Sequence, residues 1–177
     1  MPAAGNGSSS SPYEIASLEN LYWIAAEGTI NGYTQAERMA FHYRQTATID
    51  AAATSSWFSG AGWLPIGNTD TPFRGVYDGQ NHEIQNLFIY RPNGNNVGLF
   101  GVIGDGTLSN QVIVRNVIIN GVRVTGNRGV GTLAGRVTGN IYTLIEGCAA
   151  YGGHEWMNVS GGAAAGGLVG SNNSKTE

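Results

Sequence analysis

Cysteine, lysine and charge are all scarce in this sequence. Among 177 residues there is one cysteine, Cys148, and one lysine, Lys175, and 12% of the chain is charged. A lone cysteine permits no internal disulfide and no structural zinc site of the several-cysteine type. The net charge of −3 provides no basic face for a phosphate backbone, which argues against nucleic acid as a partner. We expect no metal and no cofactor.

Long apolar runs are also missing. No stretch approaches the roughly 20 residues of a membrane-spanning helix. Residues 1–11 are rich in glycine and serine, and they contain neither a basic region nor an apolar region of a signal sequence. We interpret them as a flexible lead. Because the C-terminal residues stop part-way into a repeat, we expect a fragment of a longer protein.

Glycine is abundant instead. The 28 glycines are more than twice the usual share of about 7%, and hydrophobic residues make up 41% of the chain. High glycine with little charge is more typical of an all-β secreted protein than of a cytosolic enzyme. The composition therefore predicts a secreted or cell-surface location.

Three short phrases recur along the chain. The first places Leu99, Leu133 and Leu168 at spacings of 34 and 35 residues, and the second recurs at spacings of 30 and 31. The first phrase reads Gly98-Leu99-Phe100-Gly101, Thr132-Leu133-Ala134-Gly135 and Gly167-Leu168-Val169-Gly170. The second reads Ile84-Gln85-Asn86-Leu87, Val114-Arg115-Asn116-Val117 and Ile145-Glu146-Gly147-Cys148. The third pairs Val122-Arg123-Val124 with Met157-Asn158-Val159. Such repetition is typical of a solenoid.

The phrases predict strands. They are short, rich in Val, Ile and Leu, and bounded by Gly or Asn, which would interrupt helices. Stacked equivalent strands form parallel sheets, and we expect a three-sided parallel β-helix with glycine supplying unusual backbone angles at the corners. A change in the inward-facing parity predicts a bend near Arg115-Asn116.

The segments before the repeats predict a capped N-terminal end. Apolar residues at helical spacing predict a cap helix over 17–27, with Ser17 as N-cap and Gly28 at its end. Thr34 begins a second short helix with a capping box. We assign the cap helices and first rung to residues 12–50, an aromatic excursion to 51–72 and regular coils to 73–170, within one domain over 12–177.

These segments, in this order, resemble the GLUG-motif family of bacterial surface proteins, which includes large adhesins and non-catalytic regions of secreted peptidases. The resemblance covers roughly residues 12–171. It rests on Pro12-Tyr13-Glu14-Ile15-Ala16, on Trp63-Leu64-Pro65-Ile66-Gly67, on the run from Phe73 to Ile84, and on the three Gly-Leu phrases. It implies a right-handed parallel β-helix in an adhesin or stalk-like spacer, with no catalytic site.

Two sets of residues are candidates for a site. Asp78, His82 and Glu83 suggest a polysaccharide lyase or hydrolase, although an Asp-Gly turn explains the same residues structurally. Exposed aromatic rings stack on sugars, so Trp57, Phe58 and Trp156 are candidates for contact with a glycan. The alternative is that these rings pack over the open end of the coils. Trp63 is expected in the core, and Cys148 is expected to be a small buried residue without nucleophilic reactivity.

The sequence therefore favours a non-enzymatic structural or adhesion module that contacts an unidentified host or neighbour-cell glycan or protein. The lyase or hydrolase remains the alternative, and an ice-binding solenoid is a minor one, because Thr46 and Thr48 lack aligned threonines in neighbouring rungs. The last coil has no cap after Gly170. Its unpaired edge predicts self-association.

Overall fold

The computed structural model describes residues 1–2, 4–104, 110–139, 142–152 and 158–174. They form a parallel β-solenoid of about three turns with few helices, which confirms the predicted all-β solenoid. The helices are α1 Leu18–Ala25 and α2 Gln35–Arg38, and a 3-10 segment covers Ala52–Gly60. The strands before the regular coils are β1 Tyr13–Ile15, β2 His42–Gln45 and β3 Ile49–Asp50. Those of the first regular coil are β4 Val76–Asp78, β5 Glu83–Gln85, β6 Phe88–Tyr90, β7 Asn95–Val97 and β8 Phe100–Ile103. The second regular coil contains β9 Val112–Arg115, β10 Ile118–Asn120, β11 Arg123–Gly131 and β12 Ala134–Gly139. The last coil contains β13 Thr143–Glu146, β14 Ala149–Tyr151, β15 Asn158–Gly166 and β16 Val169–Ser174.

The strands stack into four parallel sheets, not into the three faces expected. Sheet 1 has the order β1-β2-β4-β9-β13, and sheet 2 has β3-β5-β10-β14. Sheet 3 has β6-β11-β15 with β7 also paired to β11, and sheet 4 has β8-β12-β16. The extra side arises because the predicted bend at Asn116, with φ of +53°, separates sheet 1 from sheet 2. Val114 before this corner and Val117 after it are both fully buried, as the change in parity predicts.

The pairing settles the register of the repeats. Ala134 pairs with Phe100 and with Val169, so the three leucines that precede them stack as predicted. The third phrase is also confirmed, since Arg123 pairs with Asn158.

The register of the second phrase is partly wrong. Val114 pairs with Ile145 as predicted, but Ile84 pairs with Ile119. The segment from Ile84 to Leu87 therefore lies at a different corner of the coil from the segment at Val114. At both corners a left-handed Asn, Asn86 or Asn116, follows a polar residue and precedes an apolar one, so their local sequences look alike.

The glycines of the Gly-Leu phrases have a different role from the one predicted. Gly101, Gly135 and Gly170 are not among the glycines with positive φ. A Cβ atom on Gly135 would lie 2.2 Å from the Asn96 carbonyl carbon, and one on Gly170 would lie 2.2 Å from the Val130 nitrogen. Glycine is therefore required at these positions because the neighbouring backbone lies too close to leave room for a Cβ atom. The second Gly-Leu phrase has Thr132 where the other two have glycine. Thr132 is buried, and its hydroxyl donates to the Gly167 carbonyl at 2.5 Å.

The N-terminal end is closed by the predicted helices. The Ser17 hydroxyl accepts from the Asn20 N–H at 3.3 Å, and the Thr34–Glu37 capping box is complete. The first strand comes earlier than predicted, because Tyr13–Ile15 pairs with Tyr43–Gln45. The proposed lead also makes backbone contacts that its composition did not suggest: the Glu14 N–H donates to Ala4, and the His42 N–H donates to Gly7.

The cap is tied down by a buried arginine. Arg38 is fully buried, and its guanidinium donates to the carbonyls of Tyr33 at 2.6 Å, Gly28 at 3.1 Å and Ala26. It also lies 5.5 Å from the centre of the Trp23 ring. This one side chain therefore links the end of α1 to the start of α2.

Candidate functional site

Asp78, the first residue of the enzymatic hypothesis, lies at the corner between sheets 1 and 2. The residue is 6% exposed, and its carboxylate accepts from Arg115 Nε at 2.8 Å, Asn116 Nδ2 at 3.1 Å and the Gln80 N–H at 3.0 Å. Burial alone would raise the pKa of Asp78, but these donors together hold it below its ordinary value. Such a carboxylate stays ionised at neutral pH and holds one coil to the next.

His82 and Glu83 also have structural contacts. The His82 N–H donates to the Gly79 carbonyl at 2.9 Å, which closes the turn expected from the Asp-Gly sequence. The Glu83 carboxylate accepts from Tyr151 Oη, Gln85 Nε2 and Asn120 Nδ2. These hydrogen bonds lower the pKa of Glu83, with Tyr151 contributing most. Neither carboxylate has the raised pKa that would suit a general acid.

The aromatic excursion separates into packed and exposed rings. Trp63 is fully buried, as expected, and its Nε1 donates to the Leu99 carbonyl at 3.1 Å. Trp57 stacks on Trp63 with ring centres 6.1 Å apart and packs edge-on against Tyr22 at 5.0 Å. Trp57 therefore covers the core, which corresponds to the packing alternative.

Phe58 is the ring that remains accessible. It is 51% exposed and has a φ of +50°, in the left-handed region that a bulky residue rarely adopts. The Arg91 guanidinium lies 5.8 Å from the centre of its ring. Arg91 is fixed in turn, because its Nε donates to the Trp63 carbonyl at 3.1 Å. The excursion thus presents an exposed ring, and the guanidinium of Arg91, which follows β6, lies over that ring.

Arg91 also lines a cleft between the N-terminal cap and the solenoid. This cap cleft has a volume of about 310 Å³, at the lower end of the range for small-molecule sites. Its polar lining includes Glu27, Gln35, Asn68, Arg91, Asn95 and Asn96. Burial lowers the pKa of Arg91, whereas nearby Glu27 favours its charged form. Amides beside one acid and one base provide both donors and acceptors, a lining that suits hydroxyl-rich ligands. The cap cleft had no signal in the sequence, because its residues come from separate segments.

The remaining predicted positions do not add to the cap cleft. Trp156 lies outside the described residues. Cys148 is partly buried with its thiol 3.3 Å from the Glu146 carbonyl, and burial raises the pKa of this thiol, which suits the expected inert residue. Within the described part of the chain, no three His, Cys, Asp or Glu side chains are grouped to hold a metal, and no helix is long and apolar enough to cross a membrane.

Comparison with known proteins gives two relatives of very different length. The chain is 37% identical to halomucin of Haloquadratum walsbyi over 171 residues, which is 94% of this chain and 2% of halomucin. It is 35% identical to a putative Gly-rich membrane protein of Evansella cellulosilytica over 147 residues, which is 81% of this chain and 15% of that protein. The chain therefore spans a small fraction of either relative. No family model matches the chain, and no solved structure matches it.

Proposed function

We propose that the chain is a non-enzymatic structural module of a cell-surface or extracellular protein, of the kind that the GLUG-motif resemblance implies. The supporting observation is that the carboxylates considered as catalytic candidates are occupied by hydrogen bonds between coils. Asp78 is saturated by three donors from its own turn and the next coil, and Glu83 accepts from Asn120 and Tyr151 of the two following coils. Carboxylates engaged in this way stabilise a stack of coils.

The relatives support the same proposal. In each, the matched region is a small part of a much longer protein, as expected for one module of an extended protein. One relative is named a membrane protein, and the low charge and high glycine of this chain suit a location outside the cell. We therefore place the module on the cell surface or in the extracellular space.

Adhesion is the more specific part of the proposal. Phe58 offers an exposed apolar ring, Arg91 lies beside it, and the cap cleft continues from Arg91 with amide side chains. Sugars are bound by this combination of a stacking ring with fixed donors and acceptors. We propose that the module contacts a glycan at Phe58 and the cap cleft, while Trp57 acts from beneath by holding the excursion in place.

A glycan array tests the adhesive role. The wild-type domain is compared with Phe58→Ala and with Tyr90→Ala as the control, because Tyr90 is another exposed ring at 53% and does not line the cap cleft. We expect binding to one class of glycan that Phe58→Ala reduces at least tenfold and Tyr90→Ala leaves unchanged. Trp57→Ala is unsuitable, since it would also remove packing from Trp63.

The outcomes separate the two parts of the proposal. Absence of binding by the wild type to any glycan would refute the adhesive role and leave the structural one. Cleavage of an array glycan that depends on Asp78 or Glu83 would instead refute the non-enzymatic assignment.

A further inference from the structure

Five charged residues of alternating sign form a ladder on the outer face of sheet 1. Pairing places Glu14 beside Arg44, Arg44 beside Asp78, Asp78 beside Arg115, and Arg115 beside Glu146. One register position therefore reads minus, plus, minus, plus, minus across all five strands. The sequence showed no sign of it, because the residues lie 30 to 37 positions apart.

The charge ladder includes direct ion pairs. Arg44 lies 2.7 Å from Glu14, and Arg115 lies 2.8 Å from Asp78. The other two neighbouring pairs, Arg44 with Asp78 and Arg115 with Glu146, share the register position on strands about 4.8 Å apart. Cross-strand pairs of opposite charge stabilise a sheet, whereas like charges directly opposite destabilise it. The charge ladder consequently favours one register of each coil on the next.

The charge ladder ends at Glu146, in the last coil of the described residues. Strands β13, β14, β15 and β16 are each the last strand of their sheet. In the preceding coil the inward residues Val114, Val117 and Ile119 are fully buried. Their counterparts in the last coil, Ile145, Cys148 and Ala150, are only partly buried. The described end of the solenoid therefore exposes strand edges and an apolar interior together.

We propose that this open end is a docking surface for a further parallel β-coil that carries Arg or Lys in register with Glu146. Such a coil would continue the alternation and bury Ile145 and its neighbours under its own inward aliphatic residues. This inference rests on the proposed structural function and specifies the chemistry of the neighbouring coil. It does not depend on glycan binding.

The N-terminal end of a second copy does not fit this surface. It would present Glu14 to Glu146, which places two carboxylates opposite each other. The Glu14 N–H is also already bonded to the Ala4 carbonyl, at 3.0 Å, so this edge is in use. The charge ladder thus disfavours the end-to-end self-association that the uncapped end suggested.

An appended coil tests the charge requirement. A copy of residues 140–142 followed by 112–139 is joined after Ser174, which brings the copied Arg115 into register with Glu146. Four proteins form a double-mutant cycle: the copy with Arg115 retained or changed by Arg115→Glu, each with Glu146 retained or changed by Glu146→Lys. Glu146→Lys also places a lysine beside the native Arg115, and this cost occurs once in each pair of proteins. We therefore expect the mean unfolding temperature of the two opposite-charge proteins to exceed the mean of the two like-charge proteins by about 1–4 °C.

Hydrogen exchange shows whether the copy docks at all. Amides of residues 143–146 should exchange more slowly in the opposite-charge proteins than in the unextended chain. Equal mean unfolding temperatures for the opposite-charge and the like-charge pairs would overturn the charge requirement. Unchanged exchange at residues 143–146 in all four proteins would overturn the docking surface. Sedimentation of the unextended chain should show a monomer, and growth into end-to-end oligomers would contradict the exclusion of a second copy.

Discussion

Gly135→Ala should destabilise the protein through contact with the neighbouring backbone, and not through its φ angle. The added Cβ would lie 2.2 Å from both the Asn96 carbonyl carbon and the Val97 nitrogen, whereas ordinary van der Waals contact begins near 3.4 Å. Backbone must therefore move by about 1 Å to relieve the overlap. Overpacking typically lowers the free energy of unfolding by about 1–3 kcal/mol, and the loss is largest where backbone must move. We therefore expect a loss of about 3 kcal/mol for Gly135→Ala.

Gly32→Ala is the matched control. Gly32 has a φ of +84° and nothing within 4 Å of the position of a Cβ, so alanine there meets only the left-handed backbone penalty. That penalty is about 1 kcal/mol. Any entropic effect of glycine replacement on the unfolded chain is common to both variants.

Urea unfolding followed by circular dichroism measures the difference. With a slope of about 2 kcal/mol per molar urea, the midpoint should fall by about 1.5 M for Gly135→Ala and about 0.5 M for Gly32→Ala. A loss for Gly135→Ala equal to or smaller than that for Gly32→Ala would refute the explanation by close approach.

Two further perturbations test the cap and the charged corner. Arg38→Met should lower the free energy of unfolding by about 2–4 kcal/mol, because three carbonyls lose a charged donor, although one buried charge is also removed. Urea unfolding that shows no loss of stability would contradict the role of Arg38 in tying down the cap. Acid should also destabilise the fold, because the pKa of Asp78 is lower in the folded state than its unfolded value of 3.8. The stability that ionised Asp78 contributes is present above pH 3.8 and is lost as the pH falls through the folded-state pKa. Thermal unfolding from pH 7 to pH 2 should therefore show a decline below about pH 4 that is smaller in Asp78→Asn, and an equal decline in both proteins would be evidence against it.

Much of the fold could be predicted from local sequence. Repeated apolar phrases bounded by Gly or Asn predicted the parallel solenoid, and the parity change at Asn116 predicted its bend. The register of Ile84 could not be predicted, because each coil has two corners with similar local sequences and only long-range pairing distinguishes them. β1 was missed because three residues are too short for an alternating pattern, and their partner strand lies 30 residues further along the chain.

The candidate sites depend even more on tertiary structure. The sequence identified the aromatic excursion but could not distinguish Trp57, which packs on Trp63, from Phe58, which is exposed. Asp78 could be identified as a turn residue, whereas its Arg115 partner lies 37 positions away. The cap cleft and the charge ladder are formed by residues brought together only by the coiling of the chain.

Amide hydrogen exchange along the whole chain compares the two ends of the solenoid: the N-terminal end lies under the cap, whereas the last described coil is only partly buried. We predict the strongest protection in β4–β6 and β9–β11, intermediate protection in β1 and β2 beneath the cap, and the weakest protection in β13–β16. Protection in β13–β16 as strong as in β9–β11 would contradict the account. Faster exchange in the cap than in the last coil would contradict it as well.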